Sequence, residues 1–134
     1  MNSTDALQKW LALEHEAVWF YAQAGGRFEP LTEAARTAYG AHVGAREVLL
    51  GRLHRAGVEP VGTELAYAVG KLRTPAEART FAQGLESRIA AACLALVGGF
   101  EGEDRQFATK ALRRAALAEL TWGGRASAFP GLPA

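Results

Sequence analysis

Glu14 is the residue on which any chemistry in this chain would turn. With Leu7, Leu11, Val18 and Tyr21 it recurs at steps of four and three, which places a carboxylate on an apolar helix face. A charge in such a position is costly unless something neutralises it. His42, Glu86 and Glu119 each stand near the apolar side of their own helical stretch and could meet it. Dinuclear iron or manganese bundles use a lone Glu on each of two helices and a Glu-x-x-His on each of the other two, because residues three apart present both ligands to one point. Here Glu14 and Glu86 would be the lone carboxylates, His42 the first histidine and Glu119 the second bridging Glu. The pattern then fails twice: Tyr39 stands three residues before His42, and Trp122 three after Glu119. A Tyr phenolate can ligate ferric iron, but only as a rescue for the missing carboxylate, and Trp cannot ligate at all. A mononuclear site of Glu14, His42 and Glu86 would suit iron, manganese or zinc. The competing expectation is that Arg46, one turn beyond His42, takes the place of the cation and pairs with Glu14, Glu86 or both.

Four helical stretches would have to hold these groups. The first is expected over about 4–24, capped by Ser3 or Thr4 and ended by Gly25-Gly26. Trp10, Leu13, Trp19 and Phe20 carry its apolar surface around the cylinder, so a second face needs covering, by the C-terminal tail or by another subunit. The second is expected over about 31–56, with Leu31, Ala35, Ala38, His42, Ala45, Leu49 and Leu53 as its buried stripe. Gly40, Gly44 and Gly51 inside it point to close helix contact or to room beside a bulky neighbour. The third, about 75–98, opens on Thr74-Pro75-Ala76-Glu77, a cap residue, a first-turn proline and a third-position glutamate. The fourth, about 104–122, ends at Gly123-Gly124, and an apolar tail, 125–134, is expected to lie extended against the rest. Val58 to Arg73 reads as a connection, with a short helix over Thr63–Val69 as an alternative. Extended, it reaches roughly 50 Å, against roughly 40 Å for the second helix, so it can run the length of a bundle and leave helices two and three parallel.

The 134 residues suit a single domain, and hydrophobic residues at 49%, many of them Ala, favour close-packed helices. Formal net charge is +1 with no basic block, which gives nucleic acid no surface. The longest uncharged apolar run, Ile89 to Phe100, is too short to span a bilayer, and the opening Met1-Asn2-Ser3-Thr4-Asp5 does not read as a signal peptide, so a cytoplasmic protein is expected. Cys93 lies in an apolar run and reads as a buried core thiol. His15 and His54 read as helix-flank or surface residues. No Ser-His-Asp or Cys-His arrangement and no strand-borne phosphate loop is present in the pattern.

Four helices with one long link predict an all-α four-helix bundle with a single crossover between helices two and three, the arrangement of ferritin-like folds. Leu13-Glu14-His15-Glu16, His42 with Arg46, Leu85-Glu86-Ser87-Arg88, Trp122 and the tail Phe129-Pro130-Gly131-Leu132-Pro133 together resemble an uncharacterised, mainly actinobacterial family of ferritin-like domains. The resemblance covers nearly the whole chain. It implies a ferritin-like bundle of no assigned activity, able to dimerise, and brings no catalytic residues. The expectation is a non-catalytic homodimer whose cluster of Glu14, His42, Arg46, Glu86, Glu119 and Tyr39 is a degenerate metal site turned into a polar network. Two alternatives stand beside it: an iron- or manganese-binding oxidoreductase using Glu14, His42, Glu86 and Glu119, and a module that binds a small ligand or a protein through the aromatic surface of helix one.

Overall fold

The structure, a computed structural model, describes residues 2–132. It is all-helical: α1 (Ser3–Arg27), α2 (Thr32–Arg55), α3 (Pro75–Gly99) and α4 (Gly102–Thr121), with a single turn of 3-10 helix, Glu29–Leu31, before α2. Among the described residues no helix is long and apolar enough to cross a membrane.

Each helix boundary has a local cause. Asn2, not Ser3 or Thr4, caps α1, its side chain accepting from the Asp5 amide. Gly25 and Gly26 do not stop α1, which runs on to Arg27; a Cβ on Gly25 would lie 3.1 Å from that of Ala35, so the bare Cα lets α2 approach. Thr74 and Glu77 form the reciprocal capping box that their spacing announced. Gly57, at φ +73, turns the chain out of α2. At the far end Gly131, φ +90, brings the tail so close to α3 that a Cβ would sit 2.8 Å from the Ala90 carbonyl oxygen. Pro133 and Ala134, expected to lie along the bundle with the rest of the tail, fall outside the described residues.

α1 packs on α2 and α3, and α3 packs on α4, while α2 and α4 hardly touch. Phe20 lies on Phe81, and Arg88 reaches Glu16, so α1 and α3 run in opposite directions. Trp10 stacks on Phe107, which sets the start of α4 beside the start of α1. Residues 56–74 form no helix, including over Thr63–Val69. They run up the outer side of α1. Gln8 exchanges hydrogen bonds with the Glu59 carbonyl and the Val61 amide, His15 donates to the Val61 carbonyl at 2.9 Å, and Trp19 meets Tyr67. This segment covers the second apolar face of α1, so neither the tail nor another subunit is needed there. His15 is therefore buried, not on the surface as its sequence setting implied, whereas His54 is exposed.

The glycines of α2 correct a second expectation. Gly40 and Gly44 face open space, with nothing within 4 Å of where a Cβ would stand. They hold no close contact. Gly40→Ala and Gly44→Ala are each expected to raise stability by up to about 1 kcal/mol, read as a higher urea midpoint, because only backbone entropy changes.

Candidate functional site

The middle of the bundle contains a chain of hydrogen bonds across three helices. α1 supplies Trp10, Glu14 and Tyr21, at spacings of four and seven that keep them on one face; α2 supplies His42, and α3 supplies Glu86. His42 lies between the two carboxylates: its Nδ1 is 2.6 Å from Glu14 Oε2 and its Nε2 is 2.6 Å from Glu86 Oε1. Trp10 Nε1 donates to Glu14 Oε1 and Tyr21 Oη donates to Glu86 Oε1, both at 2.8 Å. Glu14 and Glu86 are 1% exposed and His42 6%.

Electrostatics decide the state of the ring. Burial alone would hold His42 neutral, but the hydrogen bonds and charges of Glu14 and Glu86 outweigh it and raise its pKa from 6.5 to about 10. At neutral pH the ring is thus an imidazolium that donates from both nitrogens. Its face stacks on Tyr21, 5.4 Å between centroids and 10° between planes, and Tyr21 stacks in turn on Trp122 at 5.5 Å. Burial, reinforced by Glu86, pushes the Tyr21 phenol far above its ordinary range, so it remains a donor. Cys93 is a buried free thiol, also pushed up by burial and by the two carboxylates.

Of the six residues expected to form the cluster, the structure brings together Glu14, His42 and Glu86. Glu119 lies half-buried beside them; burial and the nearby charge of Glu86 raise its pKa, but it bonds none of the three. Tyr39 is 40% exposed and Arg46 pairs with its neighbour Glu47 at 3.3 Å. Both residues face a shallow hollow that the residue 56–74 segment roofs with Thr63, Glu64 and Tyr67. The expectation that Arg46 supplies the cation is therefore corrected: the cation in contact with the carboxylates is His42 itself. Arg46→Met is expected to leave stability within about 0.5 kcal/mol of the parent in urea unfolding. Trp10 and Tyr21 complete the network and were absent from the expected set. Their positions, four before and seven after Glu14, were the signal that could have found them.

The donor set does not fit a metal. Both His42 ring nitrogens are taken up by carboxylate oxygens at 2.6 Å, and neither Tyr39 nor Trp122 stands in for the ligands missing at their positions. Among the described residues no group of three or more His, Cys, Asp or Glu converges as a metal site requires.

The family model described as Domain of unknown function (DUF4439) matches residues 6–134. Among solved structures the chain is similar to that of a conserved hypothetical protein, rv2844, from Mycobacterium tuberculosis: the two are 26% identical, with a TM-score of 0.83 over 91% of this chain and 96% of that one. No curated protein matches.

Proposed function

The chain belongs to the DUF4439 family, and on that premise we propose that it is a ferritin-like bundle in which a histidinium has replaced the metal. In this reading the segment 56–74 is the crossover, and α2 and α3 are the parallel pair it joins. Glu14, His42 and Glu86 descend from ligand positions and now form a salt-bridged network that locks three helices in register. The domain is non-catalytic, and its role is to bind or to support rather than to turn over a substrate.

The observation that carries this is the placement of both His42 ring nitrogens 2.6 Å from a carboxylate oxygen. An enzyme of the dinuclear kind would need those lone pairs for metal, and would need carboxylates free to bridge. Elemental analysis of protein purified without chelator tests the proposal. Iron, manganese and zinc are each expected well below one atom per chain, and unchanged in Glu14→Gln. Stoichiometric metal that Glu14→Gln loses would overturn it in favour of the oxidoreductase reading.

A further inference from the structure

We propose that the gap between α2 and α4 is a binding site for a small ammonium ion with an apolar body, a protonated alkyl- or arylalkylamine. The proposal rests on the charge state assigned above to the buried cluster.

α2 and α4 are tied together at one end only, where Arg52 pairs with Asp104 and lies over the Phe107 ring. Towards their other ends they part around a cavity of about 470 Å³, a size typical of small-molecule sites. Its walls are mainly Ala34, Ala38 and Ala41 of α2 with Leu117 and Ala118 of α4. The space exists because alanines stand where a filled bundle edge would carry larger side chains.

The floor is not apolar. His42 and Glu86 line the cavity although both are buried. Glu86 Oε1 already accepts from Tyr21 and His42, whereas its Oε2 has no hydrogen-bond partner among the described residues, and the residue lines the cavity while only 1% exposed. A carboxylate oxygen in such a place calls for a donor. The cluster also has a charge to balance. Two carboxylates around one imidazolium leave one net negative charge, and Glu119 of α4 lies close enough to Glu86 to add to it. An ammonium head supplies both the donor and the balancing charge, and its apolar body fills the alanine-lined space. Arg114 of α4, an exposed cation, also lines the cavity. An anion held there would leave the Glu86 oxygen without a donor.

The test compares hexylammonium, hexanol and hexanoate, ligands of similar apolar length, by calorimetry and amide chemical-shift mapping on the full chain. Hexylammonium is expected to perturb residues around Ala38 and Ala118 and to bind at least about tenfold tighter than hexanol, about 1.4 kcal/mol, with hexanoate weakest. Ala118→Phe, which adds bulk from the α4 wall of the cavity and leaves every hydrogen-bonding residue of the cluster in place, is expected to abolish binding while the thermal midpoint is kept. Equal or tighter binding of hexanol or hexanoate would overturn the proposal, as would no binding of hexylammonium or full binding by Ala118→Phe. A parent dimer that Ala118→Phe dissociates, seen by light scattering with no ammonium binding, would make a second copy of the chain the occupant and overturn it too. The ring resonances of His42 in the same samples separate the two readings. If the ring is doubly protonated and the amine does not bind, only the ligand proposal falls. If the ring has one proton, the charge state beneath it falls as well.

Discussion

His42→Ala is expected to destabilise the fold by roughly 3–5 kcal/mol, a large part of what holds a domain of this size together. The imidazole itself contributes little packing compared with what its loss leaves behind. Glu14 and Glu86, each 1% exposed, would face one another across the vacated space with only Trp10 and Tyr21 as donors. Joining Glu14→Gln and Glu86→Gln to His42→Leu should recover most of the lost stability. The amide carbonyls would still accept from Trp10 and Tyr21, and no charge would remain to be buried. Urea midpoints of the single and triple variants, measured at neutral pH, check both statements. A His42→Ala protein as stable as the parent at neutral pH would mean that the network contributes nothing to the fold.

The second large effect is alkaline loss of stability. The folded-state pKa of His42 is raised, from 6.5 to about 10, so the native state holds a proton that the unfolded chain releases across that window. Stability therefore has its full His42 contribution below 6.5 and falls as pH rises, until the contribution is gone above about 10. At about 1.4 kcal/mol per pKa unit the total is on the order of a few kcal/mol. Two neighbours add to the fall at its upper end: Tyr21 on α1 and Cys93 on α3 are both pushed upward, so their unfolded-state ionisation lowers stability from about 10 and about 9, and the His42 slope is read between 6.5 and 9. Glu119 of α4 is raised from the ordinary carboxylate range by burial and by Glu86. Urea unfolding at a series of pH values should give a falling midpoint for the parent. The double variant Glu14→Gln, Glu86→Gln should lose that slope, since nothing then raises the histidine. A parent curve flat through the window would contradict the assignment.

The helices and the three central residues were readable from spacing because helical periodicity is local. Thr74-Pro75-Ala76-Glu77 fixes the start of α3 by side-chain chemistry within one turn. Glu14, His42 and Glu86 each sit in the middle of an apolar stripe, so any packing of those stripes turns them inward. Residues at the edge of a stripe were not readable in the same way. Arg46 is one turn from His42 but offset around the helix, and whether it points to the core depends on what covers α1 and α2. That cover is the segment 56–74, which has no period to announce where it lies. The same segment buries His15 and satisfies the outer face of α1 that had suggested another subunit. One glycine pair misled for a related reason. Gly25-Gly26 carries the signature of a helix end, but the constraint that matters there is the close approach of Ala35, a contact distant in sequence. Trp10 and Tyr21 were on the right face and were read only as apolar bulk, although each has a single polar donor that a buried carboxylate needs.

The central claim is that the cation between the two buried carboxylates is His42 itself. A proton–nitrogen correlation spectrum of the histidine rings tests it directly, with His42 assigned by elimination using His15→Gln and His54→Gln. At a pH between 6.5 and about 10 both ring nitrogens of His42 should carry protons. A bare nitrogen on His42 in that window, or a His42 midpoint at the ordinary value, would contradict it.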